Sequence, residues 1–248
     1  MELRRFRADL HIHSCLSPCG ELSIYPRKIV ERALEEGLEI IALTDHNTAE
    51  NAAAVLRAAE GTGLTVFPGM EITSEEEVHI LAVFETMDDL LPVQSEIFRK
   101  LPGEPLPDSI VKDQILVNAR DEVTGFSPHC LMGAARMSVQ EVVSLIHRAG
   151  GLAIAAHIDR ESFSLFSQLG FLPADLPLDG LEISPHMAVP LARTVYASCA
   201  HLPMVRFSDA HQPDDIGRPF TEFLLAAPTL SEIRMALRDS EGRRVIPS

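Results

Sequence analysis

Histidines and carboxylates recur at the ends of apolar segments in this sequence. Asp45 and His46 directly follow the apolar run 40–44, and Glu71 follows the run 66–70. The same placement is found for His11 and His13 at the end of 7–13, His157 after 153–156, and Asp209 and His211 after 205–208. Imidazole nitrogens and carboxylate oxygens are ligands for divalent cations such as zinc, iron and manganese. The pattern therefore predicts metal-ion chemistry.

The elements that must position these residues alternate between strand and helix. Short apolar runs predict strands at 7–13, 39–44, 64–67, 78–84, 152–156, 180–183 and 204–207. Amphipathic stretches with helix start and stop residues predict helices at 26–36, 49–60, 88–100, 138–149, 161–169, 188–200 and 231–239. Repeated strand–helix units predict an α/β fold, with a parallel sheet and its helices outside. About seven units suit a closed or nearly closed barrel, and a doubly wound open sheet is the alternative.

The alternation breaks between residues 101 and 135. This stretch holds prolines at 102, 105, 107 and 128 and has the pattern of a hairpin at 115–124. It is too long for an ordinary connection, so we predict an insertion or lid at about 101–135. We treat 1–248 as a single barrel domain that carries this insertion.

The strand ends predict where the chemistry takes place. In parallel sheets and barrels the active site collects at the C-terminal ends of the strands, so five such ends should meet in one cavity. His79 lies near the start of its predicted strand and fits this rule less simply. A single histidine is more often a core or surface residue than a ligand, but the joint placement favours ligands. This many ligands implies more than one ion, with Glu71 able to bridge two of them.

Composition limits the partners. The chain has 21 basic and 36 acidic residues, a formal net charge of −15. This balance disfavours electrostatic capture of nucleic acid or an anionic membrane, so we expect nucleic acid to be an unlikely partner. Apolar runs fall short of the about 20 residues of a membrane span, and no secretory signal is recognisable. Four cysteines without an export signal predict reduced thiols and a cytoplasmic location. The oligomeric state is left open.

Four segments in order resemble the signature segments of the PHP (polymerase and histidinol phosphatase) superfamily. They are Ala8-Asp9-Leu10-His11-Ile12-His13-Ser14, Thr44-Asp45-His46-Asn47, Pro68-Gly69-Met70-Glu71 and Ser208-Asp209-Ala210-His211. The resemblance runs from residue 8 to about 220 and is weakest across 101–135. It implies a distorted seven-stranded parallel βα barrel of TIM-like form. It also implies two or three divalent ions (Zn, Fe or Mn) that hydrolyse phosphoesters.

The resemblance also implies which residues hold each ion. The three ligand sets are His11, His13, Glu71 and Asp209; Glu71, His79 and His157; and His46, His211 and Cys19. Cys19 is a departure, because family members usually have Asp or His there. Thiolate is a good ligand for zinc or iron, so we predict Cys19 as the ligand. A partly buried thiol with a weak third ion, or a disulfide with Cys15, is the alternative.

These features predict a metal-dependent phosphoesterase. A metal-activated hydroxide would attack the phosphoester of a small metabolite or nucleotide. The alternatives are a metal-dependent nuclease, a hydrolase of another bond, and a non-catalytic metal-binding accessory domain.

Several polar residues beside the predicted ligands are expected to support the reaction. Asp45 either orients a metal ligand or caps the helix that begins near residue 48. Arg160 and Arg218 are candidates for binding phosphate, with surface salt bridges as the alternative. His129 and His186 could line the mouth of the site, although loop histidines more often face solvent.

Overall fold

The computed structural model of the protein describes residues 2–103 and 106–246. Its strands are β1 (Arg4–Ile12), β2 (Ile40–Leu43), β3 (Thr65–Thr73), β4 (His79–Val83), β5 (Ile115–Val117), β6 (Val123–Phe126), β7 (Leu152–Ala155), β8 (Gly180–Glu182), β9 (Met204–Val205), β10 (Thr221–Leu225) and β11 (Arg244–Ile246). Its helices are α1 (Pro26–Glu35), α2 (Ala52–Ala58), α3 (Met87–Lys100), α4 (Asp108–Val111), α5 (Val139–Arg148), α6 (Leu165–Leu169), α7 (Val189–Val195) and α8 (Leu230–Leu237). Among these helices, none combines the length and the apolar character needed to cross a bilayer.

Nine strands form one sheet in the order β11-β10-β1-β2-β3-β4-β7-β8-β9. The chain after β9 returns to β1, where Ile12 and Ala210 form a parallel bridge and His13 N donates to Ala210 O at 3.0 Å. This bridge closes the seven strands from β1 to β9 into a barrel. The antiparallel strands β10 and β11 extend the sheet beyond β1.

The barrel confirms the predicted α/β fold, with two differences. First, β4 runs antiparallel to both of its neighbours, β3 and β7, whereas β1, β2 and β3 are parallel to one another. Second, β10 and β11 were not predicted. They make the sheet nine-stranded rather than seven-stranded, because β10 pairs with β1 and β11 with β10 without either strand entering the barrel wall.

Two apolar layers stabilise the barrel. Alternate strand residues, such as Ile40 and Ala42 of β2, belong to a cluster that fills the interior, while Ile41 and Leu43 pack outward against the helices. The interior cluster also includes α8, whose Arg234 donates to Gly150 O just before β7. Helix α8 therefore covers the N-terminal end of the barrel, and the C-terminal end is the one left for a site.

The predicted insertion contains α4 and the β5–β6 hairpin, which forms its own two-stranded sheet. Residues 104 and 105 of this segment lie outside the described residues. Asn51 holds the hairpin to the barrel, donating to Ile115 O at 3.2 Å and accepting from Val117 N at 3.0 Å. Asn47 holds the following loop, donating to Leu131 O at 2.8 Å and Gly133 O at 2.9 Å. That the insertion acts as a lid stays a prediction.

Candidate metal centre

A change of register near the end of β1 places the side chains of His11 and His13 inside the barrel. The pairing of β1 with β2 shifts between Asp9 and Ile12. Leu10 belongs to the interior apolar cluster, while Ile12 packs in the outer layer. The shift therefore interrupts the usual alternation, and His11 and His13 both face inward with their Nε2 atoms 3.1 Å apart.

Glu71 lies inside β3, not after it as the sequence pattern suggested. Its N donates to Asp45 O at 3.0 Å, and its O accepts from Asn47 N at 2.8 Å. On the other side it pairs with Leu81 of the antiparallel strand β4. Strand β3 is longer than predicted because residues 65–68 pair in parallel with β2 and residues 69–73 pair antiparallel with β4. Glu71 is thereby held between the segment 45–47 and strand β4.

Five imidazoles surround the buried carboxylate of Glu71. Oε1 lies 2.7 Å from His79 Nδ1 and 3.1 Å from His157 Nε2. Oε2 lies 3.0 Å from His46 Nδ1, 3.4 Å from His13 Nε2 and 3.5 Å from His11 Nε2. The two oxygens therefore face two separate groups of nitrogens.

The antiparallel direction of β4 explains why His79 joins this group. The start of a reversed strand lies at the same end of the barrel as the C-terminal ends of its parallel neighbours. His79 is the first residue of β4, and its ring nitrogen reaches Glu71. The apparent exception in the sequence pattern is therefore a consequence of strand direction.

Asp209 completes the group around β1. Its Oδ1 lies 3.2 Å from both His11 Nε2 and His13 Nε2. Next to this group, His211 stacks on His13 with ring centroids 4.3 Å apart. His211 Nε2 lies 3.1 Å from Cys19 Sγ. The structure thus brings together all nine residues predicted as metal ligands, although the assignment of each one to an ion stays a prediction.

His46 lies between two groups of potential ligands. Its Nδ1 faces Glu71, yet its ring nitrogens also fall within 4.8 Å of donor atoms of His13 and His211. It is therefore placed to serve either the ion beside Glu71 or the predicted third ion with Cys19. Cys15 and Cys19 are both free thiols, and Cys15 is buried.

Hydrogen bonds outside the cluster determine which ring nitrogens can bind metal. Both oxygens of the buried Glu182 lie 3.0 Å from His11 Nδ1, and Glu182 also accepts from His157 N at 2.9 Å. His211 Nδ1 donates to Asp209 O at 2.7 Å. The ring contacts of His11 and His211 hold the proton on Nδ1 and leave the Nε2 lone pair for a metal ion, whereas the contact to His157 fixes only its backbone.

Asp45 acts on the cluster through a serine. Ser17 Oγ donates to Asp45 Oδ1 at 2.7 Å and accepts from His13 Nδ1 at 3.0 Å. Asp45 also accepts from Ser14 N at 2.6 Å and Ser14 Oγ at 2.7 Å. Helix α2 begins seven residues after Asp45, at Ala52, and its N-cap is Asn51. Of the two predicted roles, the structure therefore favours orientation of a ligand over helix capping.

The electrostatics of the cluster follow from buried charges in close contact. Burial by itself would lower the pKa of His11, but the carboxylates of Glu182, Asp209 and Glu71 hold it well above the ordinary value. Burial would raise the pKa of Glu71, yet His79, His46 and His11 hold it well below its usual range.

The outer part of the cluster shows the opposite behaviour. Burial and the neighbouring His13 lower the pKa of His211 to about 4. Burial and the nearby Glu71 carboxylate raise the pKa of Cys19 to about 12. Without a bound cation, Cys19 is therefore a neutral thiol beside a neutral imidazole.

The donor set fits divalent metal ions. Because Nδ1 of His11 and of His13 is engaged elsewhere, their Nε2 lone pairs point at each other and at the oxygens of Glu71 and Asp209. Four electron-rich atoms this close require positive charge between them. Imidazole nitrogens with carboxylate oxygens are the ligands that zinc, iron and manganese accept.

The two predicted phosphate-binding arginines are placed differently. Arg160 reaches the cluster, with Nη2 2.5 Å from Asp209 Oδ2. Arg218 pairs instead with Glu36 at 2.6 Å. Glu36 follows the end of α1, shortly before β2 begins, so this pair lies towards the opposite end of the barrel. Its contact is the surface salt bridge considered as the alternative for Arg218.

The two loop histidines show no contact with the cluster among the described residues. The ring of His129 stacks on Phe98 of α3 with centroids 3.7 Å apart. His186 is exposed, and its backbone N donates to Ser184 Oγ at 3.2 Å. Their predicted place at the mouth gains no support from these contacts.

Several residues at the site were missed from the sequence. Glu182 is the last residue of β8, so the search for polar residues at the C-terminal ends of strands could have identified it. The residue considered instead was His186, which follows that strand. Ser17 has no signal of its own in the sequence. Backbone strain marks the site as well, because His157 (φ 28°) and Asp209 (φ 51°) both adopt left-handed conformations.

Comparison with known proteins identifies the family. A βα barrel with a His- and carboxylate-rich cluster at the C-terminal ends of its strands defines a class of metal-dependent hydrolases. The sequence matches the PHP domain family over residues 9–169. The chain belongs to this family, which confirms the predicted resemblance.

Curated relatives include the 5'-3' exoribonuclease Rnm of Escherichia coli (strain K12). It is 26% identical over 255 residues, covering 83% of this chain and 85% of Rnm. Among solved structures, endonuclease Q from Pyrococcus furiosus has a TM-score of 0.77 at 20% identity and covers 98% of this chain. This chain spans 58% of that protein. A putative metal-dependent phosphoesterase from Bifidobacterium adolescentis has a TM-score of 0.58 at 21% identity, covering 83% of this chain and 88% of that one.

These matches decide two predictions. The relatives are hydrolases of phosphoester bonds, which confirms the predicted enzyme class. The expectation that nucleic acid is an unlikely partner is wrong, because Rnm is an exoribonuclease and endonuclease Q, in a structure with a TM-score of 0.78, holds a 27-mer DNA duplex. Net charge misled because it sums the whole surface, whereas a phosphate is bound by local cations.

Proposed function

We propose that this protein hydrolyses phosphoester bonds of nucleotides, free or at the end of a nucleic acid, with two or three divalent ions. The enzyme class is that of its relatives, and the choice of substrate is supported by the similarity to the exoribonuclease Rnm over 83% of the chain. We propose the cytoplasm as its location, where the four free thiols stay reduced.

The placement of Glu71 carries the proposal. One carboxylate oxygen faces His79 and His157, while the other faces His11, His13 and His46. A carboxylate between two sets of nitrogen ligands suits a bridge between two ions. Paired ions about 3.5–4 Å apart are an arrangement that stabilises both the attacking and the leaving oxygen of a phosphoryl group.

Each part of the site has a role in this reaction. The bound ions would lower the pKa of coordinated water and offset charge on the phosphoryl oxygens. Glu182 and the Ser17–Asp45 pair hold His11 and His13 in the orientation that exposes Nε2. Arg160, at the edge of the cluster, offers a guanidinium to a phosphate oxygen.

The test begins with metal content and turnover. Protein purified without chelator should contain two or three divalent ions per chain. It should hydrolyse at least one class among phosphomonoesters, cyclic nucleotides and short oligonucleotides, assayed with zinc, iron and manganese. Failure to turn over any of these with any metal would contradict the enzyme proposal and favour the accessory metal-binding domain.

Substitution of Glu71, the proposed bridging ligand, tests the assigned metal centre. Glu71→Gln removes the charge between the two sets of histidines and should lower bound metal and reduce kcat by at least a hundredfold. Glu76, near the turn after β3, offers a matched control, because its carboxylate bonds only to Ser74 and Val139 N among the described hydrogen bonds. Glu76→Gln should retain full metal content. Undiminished activity in Glu71→Gln would refute the assigned centre.

A further inference from the structure

Phe163 is an aromatic side chain at the mouth of the metal cluster that the mechanism leaves without a role. It lies in the loop between β7 and α6, and its side chain keeps 38% of its surface exposed. Its ring stacks on the ring of His79, with centroids 4.8 Å apart and planes inclined by 25°. His79 in turn contacts the carboxylate of Glu71 at 2.7 Å. The phenyl ring therefore lies one imidazole away from the cluster.

The backbone of Phe163 adopts a conformation that is unfavourable for a phenylalanine. Its φ of 57° lies in the left-handed region, which is unfavourable for a bulky residue. A hydrogen bond from His79 N to Phe163 O, at 3.0 Å, fixes the residue to the start of β4. Residues in such conformations persist only where surrounding structure enforces them, and they cluster at functional sites.

The same loop also carries the cation of the site. Arg160, three residues before Phe163, places its guanidinium on Asp209 and is itself partly exposed. One short loop thus presents a cation that suits a phosphate and an aromatic ring that suits a flat apolar group. A sugar phosphate would use only the cation, whereas a nucleotide would use both.

We propose that Phe163 is a stacking platform for the nucleobase next to the phosphoester that is hydrolysed. This inference rests on the proposed function and assigns to Phe163 the recognition of the base of the nucleotide substrate. Stacking on an aromatic side chain is favourable for every base, because each has a π face. The platform therefore selects for a base without selecting which base.

The test compares substrates that differ only in the base. One pair is a short 5'-phosphorylated oligoribonucleotide and the same oligonucleotide without the base of its terminal residue. A second pair, a nucleoside monophosphate and ribose 5-phosphate, separates free nucleotides from chain ends. The metal-loaded protein should prefer the base-bearing member of at least one pair. The pair that shows the preference identifies the source of the nucleotide.

Substitutions then assign the preference to Phe163. Phe163→Ala should reduce the ratio of kcat/KM between base-bearing and base-free members by about tenfold to a hundredfold, mainly through KM, since stacking has about that strength. Phe163→Trp should restore the ratio, and Phe163→Leu should not. Phe171, another exposed phenylalanine beyond α6, is the matched control, and Phe171→Ala should leave the ratio unchanged.

Binding measurements separate this inference from the proposed function. Calorimetric Kd values for the nucleoside monophosphate and ribose 5-phosphate require no turnover, and the metal-loaded protein should bind the nucleotide at least tenfold more tightly. Equal affinities of the native protein for the two ligands would overturn the proposed role of Phe163. An equal loss of affinity for both ligands in Phe163→Ala would also overturn it, and Phe163 would then only shield His79 from solvent. Absence of any phosphoester hydrolysis alongside a base-dependent Kd would overturn the enzyme proposal alone.

Discussion

Glu182 provides a direct test of how the protein prepares its histidines for metal. This carboxylate is buried and accepts two N–H groups, one from the ring of His11 and one from the backbone of His157. Glu182→Gln keeps the size of the side chain but leaves one acceptor oxygen for the two donors. One N–H group therefore loses its partner inside the protein, and the fixed orientation of His11 or His157 loosens.

The expected magnitude follows from these contacts. Loss of an outer hydrogen bond to a ligating histidine lowers metal affinity by about tenfold to a hundredfold. An unpaired buried N–H costs about 1–3 kcal/mol in stability. For a chain of this size that cost lowers the unfolding temperature by about 2–12 °C. Competition with a chelating dye gives the metal affinity, and calorimetry of the metal-free protein gives the stability.

The pH dependence adds a second readout. The charge of Glu182, together with Asp209 and Glu71, holds the pKa of His11 well above its ordinary value despite burial. Metal must displace this proton, so the affinity of the native protein should keep rising as the pH increases beyond neutrality. In Glu182→Gln the pKa of His11 falls, and the affinity should level off at a lower pH.

A matched control makes the result interpretable. Glu222 of β10 pairs with Arg5 at 3.1 Å outside the barrel, so Glu222→Gln should change neither metal affinity nor its pH profile. Metal affinity in Glu182→Gln within twofold of the native value, with an unaltered pH profile, would refute the positioning role of Glu182 even if the protein became less stable.

Three other substitutions have defined outcomes. Cys19→Ser should contain one metal ion fewer per chain than the native protein, as measured by elemental analysis, whereas the control Cys130→Ser should retain all ions. An unchanged metal content in Cys19→Ser would show that Cys19 is not a ligand. Arg160→Lys should lower kcat/KM about tenfold in steady-state assays, because a point charge replaces a bidentate donor, and an unaffected rate would rule out a contact with phosphate. Asn51→Ala removes the two side-chain hydrogen bonds to the β5–β6 hairpin. The backbone amides of 115–126 should therefore exchange hydrogen at least tenfold faster. Exchange rates equal to those of the native protein would contradict the anchoring role of Asn51.

The sequence by itself determined the ligand types and the end of the barrel where they meet. Asp45, His46, His157 and Asp209 follow short apolar runs, and the period of such runs records burial locally. Parallel strands separated by helices then bring their C-terminal ends together. These steps need no knowledge of long-range contacts, which is why the family and the cluster were predictable.

Only the tertiary structure decided how the remaining residues take part. Strand direction brought His79 into the cluster, because a local pattern does not record whether a strand is parallel or antiparallel to its neighbours. Glu182, Phe163 and Arg218 have roles set by partners far away in sequence: His11, His79 and Glu36 respectively. A hydrogen bond or an ion pair depends on distances of about 3 Å between remote segments, and packing of the whole chain fixes those distances.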